Sequence, residues 1–287
     1  MTDLESYRDE FGVLRRKAYL ISASLGPVSG RSKRYLQEYV DAWEEMGAPE
    51  PVWFERIFPR IRLVKELFAD LVGADADELA ITTNVSTALS SIASCMDFPP
   101  ERNRVILTEL DFPTEGHVWL AQRRRGAEVV FLESPDGLTV PVESFAEAID
   151  ERTAIVCINR VLYRSSALID AAEICRLARE AGAWTVVDDF HGAGIVPVDV
   201  HDLGCDFYTA GVLKWLCGGP GLTFLYARRD RSPRSSPRSR DGGASGSRSP
   251  SGSRSSTTTP RRGASRPGPI RRRSRSSPRV ASRSSRR

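Results

Sequence analysis

Between Leu79 and Tyr226 short, mainly apolar runs alternate with amphipathic stretches, and that alternation limits the chain to few architectures. Leu79–Thr82, Arg104–Thr108, Glu128–Leu132, Ala154–Ile158 and Trp184–Asp188 read as strands, with Phe207–Thr209 and Thr223–Tyr226 as two shorter ones. Helical spacing fills the gaps, over Ser86–Met96, Glu115–Arg125, Val142–Asp150 and Ala171–Ala181. Strands that are apolar on both faces must be covered on both faces. The pattern therefore predicts an α/β fold of three layers around a mostly parallel sheet. Upstream, residues 31–47 and 51–72 read as helices; Phe54, Ile57, Ile61, Val64, Leu67 and Phe68 recur at helical spacing in the second. Pro49 and Pro51 separate the two.

Right-handed crossovers place the loops that follow parallel strands along one edge of the sheet, where ligands of such folds bind. Four segments at those strand ends carry chemistry. After the first strand, Thr82-Thr83-Asn84-Val85-Ser86-Thr87 leads small and hydroxylated residues into a helix start. Free backbone N–H groups and the positive end of the helix dipole suit a phosphate there. The plainer reading is an N-cap formed by Ser86 or Thr87. After the second strand, Asp111-Phe112-Pro113-Thr114-Glu115 sets an aromatic ring where it can cover a planar ligand or simply join the core. Asp188-Asp189-Phe190-His191 ends an apolar strand in acids, which calls for a cation or strong donors, or for a surface turn. Finally, Lys214 stands among Leu213, Trp215, Leu216 and Cys217, ahead of Gly218-Gly219-Pro220-Gly221. A lysine in apolar company has a lowered pKa and can form a Schiff base. A phosphate cradle, an aromatic cover, a strand-end acid and such a lysine together fit pyridoxal 5′-phosphate, whose protonated ring draws electrons from a substrate carbanion. A nucleotide-binding domain fits less well, because no Gly-rich phosphate loop has the required spacing.

Charge divides the chain. Residues 231–287 hold 17 Arg, 18 Ser, 7 Pro and 6 Gly with one acid, Asp241, for a net charge of +16, whereas residues 1–230 carry a net charge of −12. The basicity belongs to the tail, so it is no evidence that the folded part binds nucleic acid, and phosphate contacts are expected of the tail alone. The tail has too few apolar residues to offset its ordering entropy and reads as disordered. No apolar run reaches the ~18–20 residues of a membrane span, and the first residues lack the pattern of a secretory signal. The five cysteines are scattered without a C-x-x-C pair, so a reducing cytoplasm is expected and no disulfide framework. With three histidines, no metal site is expected.

The motifs resemble the class V aminotransferase family of fold type I pyridoxal-phosphate enzymes, and within it the kynureninases. Tyr19-Leu20-Ile21-Ser22-Ala23-Ser24-Leu25-Gly26 is similar to Y-L-D-G-N-S-L-G, Phe112-Pro113-Thr114-Glu115 to F-P-T-D, and Tyr163-Arg164-Ser165-Ser166 to Y-R-T-G. Asp188-Asp189-Phe190-His191 is similar to D-L-A-H, and the segment from Leu213 to Gly221 to Y-K-Y-L-N-G-G-P-G. Leu213, Glu115, Ser166 and Ala23 depart from that pattern. The resemblance implies that Lys214 is catalytic and holds the cofactor as an internal aldimine. It implies that Val85, Ser86, Thr87, Phe112, Ser165, Asp188 and His191 bind the cofactor, and that Ser22 and Ser24 meet an amino-acid substrate. It further implies a homodimer and a reaction branch among C–C hydrolysis, transamination, C–S cleavage and epimerisation. The expected organisation is an N-terminal arm over 1–30, a cofactor-binding large domain over 31–230 and the tail. The family's small C-terminal domain is expected to be missing, replaced after about residue 229 by the product of a reading-frame shift in a GC-rich gene. A chain so altered is expected to be poorly soluble, with weak or no turnover; the opposing expectation is a silent relative whose basic tail associates with nucleic acid.

Overall fold

The structure, a computed structural model, describes residues 4–46 and 49–231. The readings made of the tail from residue 232 onward, its disorder, its nucleic-acid contacts and the domain it replaces, lie outside the described residues.

Among the described residues seven strands form one sheet: β1 (Leu79–Thr82), β2 (Arg104–Thr108), β3 (Glu128–Leu132), β4 (Thr153–Asn159), β5 (Trp184–Asp188), β6 (Phe207–Gly211) and β7 (Thr223–Ala227). Their order is β1-β7-β6-β5-β4-β2-β3. Only β7 runs against the rest, pairing antiparallel with both β1 and β6. The expectation of a mostly parallel sheet thus holds. The remaining six carboxyl ends share one edge.

The eight α-helices among the described residues are α1 (Gly30–Met46), α2 (one turn, Pro49–Pro51), α3 (Phe58–Val72), α4 (Val85–Cys95), α5 (Pro113–Ala121), α6 (Val142–Ala148), α7 (Ala171–Glu180) and α8 (Val200–Leu203). The single helix expected over 51–72 is broken. Val52–Ile57 is a π-helical turn whose last bond runs from the Phe58 N–H back to the Trp53 carbonyl. Pro59 lacks the N–H that an α-helix would send to Glu55, and the wider turn absorbs the vacancy. The helix expected over Glu115–Arg125 begins earlier, with Pro113 in its first turn, and finishes as a 3-10 turn over Gln122–Arg125.

Alternate strand residues feed two cores, as a two-residue period requires. Ile106, Val156, Ile158 and Val187 face α3, α6 and α7, where Phe68, Val72, Phe145 and Ile174 are buried. Val105, Leu107, Ile155, Cys157 and Val186 face α4 and α5, where Leu89, Ile92 and Trp119 are buried. The three layers are therefore helix, sheet, helix. One apolar face stays outside both cores. Tyr39, Trp43, Trp53 and Phe54 are exposed on α1 and the π turn, which border a cavity of about 800 Å³. Among the described residues no helix is long and apolar enough to cross a membrane.

Candidate active site

Strand ends bring the four chemistry-bearing segments to one edge of the sheet. β6 ends at Gly211, and the chain turns through Val212 and Leu213 to Lys214. Cys217 sits at φ 56°, in the left-handed region that few non-glycine residues adopt. That turn folds the segment back so that the Gly218 N–H reaches the Val212 carbonyl at 2.7 Å. Lys214 is buried, 8% exposed, and its Nζ bonds His191 Nε2. Two rings flank the amine, with the centroid of Phe190 at 5.2 Å and that of Phe112 at 5.7 Å. Lys214 forms no ion pair among the described residues. Burial pulls its pKa from 10.5 down to about 8, with the Asp188 charge pulling the other way. Burial first, and Lys214 second, pull His191 to about 4, so its ring is neutral and can accept from the amine.

Two consequences of the lowered lysine value are measurable. The unfolded chain binds more protons than the folded one between about pH 8 and 10.5, so this group's contribution to stability rises with pH across that window. Free amine reacts with aldehydes and ammonium does not. Reductive methylation of Lys214 should therefore rise through about pH 8, read by peptide mapping against Lys17, Lys33 and Lys65. An inflection at the ordinary lysine value, about 10.4, would contradict the buried setting.

Beside the lysine lies the acid that ends β5. Asp188 is buried, and its Oδ1 accepts the Phe190 N–H at 2.8 Å. Burial raises it to about 6. Phe112 precedes α5 and is fixed from below, its N–H bonded at 2.9 Å to Asn159 Oδ1 at the end of β4. Its ring meets Tyr163 edge-on at 5.3 Å and lies 6.1 Å from the His191 ring. Phe112, Phe190 and His191 thus surround the Lys214 amine, and Tyr163 packs against Phe112 and His191.

The phosphate candidate lies across a neighbouring cavity. Asn84 caps α4, its side chain accepting the Thr87 N–H at 2.8 Å, so the cap is Asn84 and neither Ser86 nor Thr87. The Val85 and Ser86 N–H groups come before the first intrahelical bond and face out of the helix end. A cavity of about 360 Å³ is lined by Thr83 and Asn84 on this side and by Phe190, Leu213 and Pro220 on the lysine side.

The bonds of the other expected residues are local ones. Ser165 Oγ accepts the Ala167 N–H at 3.2 Å, within the turn that puts Ser166 at φ 60°. Ser22 and Ser24 lie in the N-terminal turn, where the Ser24 N–H bonds the Ile21 carbonyl. That arm is tied to the site by Gly26, whose N–H bonds the Leu213 carbonyl at 2.8 Å. A Cβ on Gly26 would overlap the Lys214 carbonyl oxygen and crowd Cys217 Cα. Gly26→Ala should release the arm and speed tryptic cleavage at Lys17; an unchanged digestion rate would show that the arm docks otherwise.

Three groups in the site carry no assigned role in the sequence reading, although Asp111 and Glu115 stand in its Phe112 segment. Asn159, Asp111 and Glu115 form a buried polar layer under Phe112. Asp111 accepts the Thr108 N–H at 2.6 Å and the Asn159 N–H at 3.0 Å, and burial lifts it to about 7. Asn159 Nδ2 donates to Glu115 Oε1. Acids bracketing Phe112-Pro113-Thr114, and an Asn closing the apolar run of β4, were the available signal.

Residues 54–262 match the family model described as Aminotransferase class-V. An uncharacterized aminotransferase of Bacillus subtilis, YcbU, is 34% identical over 226 residues, which is 79% of this chain and 59% of that protein. A kynureninase of Geobacillus thermodenitrificans is 28% identical over 79% of this chain and 55% of its own length. A solved C-DES mutant with glycine covalently linked to its PLP cofactor shares the fold, with a TM-score of 0.72 at 21% identity over 78% of this chain and 60% of that one. The chain spans less than three-fifths of the length of the two curated relatives.

Proposed function

The chain belongs to the class-V aminotransferase family, and from that premise we propose that it binds pyridoxal 5′-phosphate through Lys214 and acts on an amino acid. The carrying observation is an amine held without a carboxylate partner between Phe112 and Phe190, bonded to a neutral His191 and within the field of Asp188. The residues fit the group. A flat ring needs an aromatic cover, its nitrogen needs an acid, its aldehyde needs a deprotonatable amine, and its phosphate needs free N–H donors. Phe112, Asp188, Lys214 and the Val85–Ser86 helix end offer these in turn.

When bound, the cofactor supplies an electron sink for charge that develops at the substrate Cα. The chain supplies the rest. Lys214 Nζ would hold the cofactor at its aldehyde and would carry the substrate Cα proton as general base. Its lowered pKa leaves a useful fraction of free amine near neutrality. Asp188 holds a proton at the ring nitrogen by its negative charge. His191, neutral at that pH, accepts from the lysine without competing as a cation. Phe112, Phe190 and Tyr163 keep water from the amine. Thr87 and the free N–H groups of Val85 and Ser86 hold the phosphate, and Ser165, Ser22 and Ser24 complete the rim on the cofactor and substrate sides.

The reaction is of kynureninase type, C–C hydrolysis of an amino-acid side chain, or that of a related class-V aminotransferase or lyase; the kynureninase relatives support the first. The working unit is a homodimer in the cytoplasm. Five unpaired thiols suit a reducing compartment, and the exposed apolar face of α1 suits burial against a second copy.

The test is borohydride reduction of the full chain with pyridoxal 5′-phosphate, followed by peptide mapping. A phosphopyridoxyl group on Lys214 alone among the four lysines supports the reading. No adduct in a folded sample, or an adduct spread over Lys17, Lys33 and Lys65, overturns it. A panel of amino acids, kynurenine and cysteine among them, added before the reduction then sorts the substrate class by which of them lowers the Lys214 adduct.

A further inference from the structure

Three acids meet beneath Phe112, and the donors around them are unequally shared. Asp111 spends its oxygens on the Thr108 and Asn159 N–H groups. Asp188 accepts the Phe190 N–H and lies in the field of Lys214. Glu115, fully buried, accepts only the Asn159 side-chain amide and, at 3.5 Å, the weak Cys157 thiol donor. Its carboxyl and that of Asp188 are close enough to act on each other, for Asn159, which donates to Glu115, stands beside Asp188 across the β4–β5 pair. Two buried carboxyls that close, with no cation beside Glu115, are stable only when one keeps its proton.

We propose that Glu115 is a proton-holding positioning residue: it stays protonated in the folded chain and donates to Asp188, so that Asp188 is the ionised acid facing Lys214. The inference deepens the reading of Asp188 and Lys214 given above and rests on it. Every element packed on Glu115 agrees. Asp111 approaches from the loop before α5, Cys157 and Asn159 from β4, and Asp188 from β5. None of these is a cation, and the like charges of Asp111 and Asp188 add to the effect of burial in raising Glu115 well above the ordinary range. The cation that reaches the cluster is Lys214, and it acts on Asp188. The arrangement links cover and acid. Asn159 holds Phe112 through its Oδ1 and Glu115 through its Nδ2, and it is the cross-strand neighbour of Asp188. Glu115 thereby couples the position of the ring above to the charge beside it. The extra methylene relative to the Asp of the resembled motif carries the carboxyl farther from α5, to the Asn159 amide.

The experiment has two arms. Infrared spectra of the cofactor-free full chain, taken up to about pH 8, should retain a protonated-carboxyl C=O band well above the ordinary Glu range of about 4.3. Glu115→Gln should lose one carboxyl from that band. A wild-type chain with no such band at neutral pH, or a band that Glu115→Gln leaves intact, overturns the proposal, and neither result depends on cofactor binding. In the second arm the chain is loaded with pyridoxal 5′-phosphate and the pH midpoint of its visible absorption is read. Glu115→Met, which cannot donate, should shift the midpoint, while Glu115→Gln, which can, should stay at the wild-type value. Equal behaviour of the two variants overturns the proposal. An infrared band present with no cofactor uptake would instead leave Glu115 as assigned and refute the pyridoxal-phosphate reading.

Discussion

Replacing Lys214 by alanine should abolish covalent capture of pyridoxal 5′-phosphate and lower turnover of any amino-acid substrate by at least ~100-fold, the lower end of what a positioned proton-transfer group contributes. The loss has two sources. The amine that bonds the aldehyde is gone, and so is the base for the Cα proton. The fold should survive. Lys214 forms no ion pair among the described residues, and its contacts are one imidazole nitrogen and two ring faces. Chemical denaturation of Lys214→Ala should therefore shift by no more than ~1 kcal/mol, the usual worth of a modest site. Lys214→Arg separates charge from chemistry. A guanidinium stays protonated and cannot serve as the amine, so it should be as inactive as alanine. Partial recovery of Lys214→Ala by a small added amine would support the proton-transfer role. Full activity in either variant would remove Lys214 from the mechanism.

What the sequence revealed of this site, and what it hid, follows from how each feature is encoded. The strands were legible because they are apolar on both faces: Ile155 and Cys157 serve one core while Val156 and Ile158 serve the other, and both halves of the run read as hydrophobic. Lys214 stood out because it interrupts such company. The direction of β7 was not legible, since a short apolar run pairs equally well either way. Nor was the π turn at Val52–Ile57, whose residues keep helical spacing while Pro59 rearranges the bonds beneath them. The cap at Asn84 lay among four residues able to play the part. Buried acids were the hardest to find, because an isolated Asp or Glu in a sequence reads as solvent-facing. Asp111 and Glu115 become part of the site only once the ends of β2, β4 and β5 lie side by side.

Arg160 and Asp189 form a second buried assembly, and cutting it should cost the fold more than any other single change in this region. The guanidinium is 7% exposed and the carboxylate fully buried, with Arg160 Nη2 at 2.6 Å from Asp189 Oδ2. Tyr208 Oη donates to the same oxygen at 2.7 Å. Burial pushes the Asp189 carboxyl up, and Arg160 is the main influence opposing it. Arg160→Met fills similar volume but leaves that carboxyl without its cation, a change that typically costs ~3–5 kcal/mol. The penalty comes from the stranded charge and not from lost attraction between exposed groups. Arg160 also donates to the Val196 and Pro197 carbonyls, at 2.9 and 3.1 Å, and so fastens the far end of the loop that begins at Asp189 and carries His191. Gly192 lies on that loop where a Cβ would strike Asp189 Oδ1. Two readouts follow. Urea unfolding of Arg160→Met should show the full loss, and adding Asp189→Leu and Tyr208→Phe should recover most of it by removing the stranded polar groups, less about 1 kcal/mol for each carbonyl left without its donor. If the single variant instead loses less than ~1 kcal/mol, the pair is no structural keystone. The second readout reaches the active site. A loosened loop withdraws His191 from Lys214 and admits water, so the inflection in Lys214 methylation should climb from about 8 toward 10.5. A variant that is destabilised yet keeps the inflection at about 8 would separate the anchor from the amine and confine Arg160 to the fold.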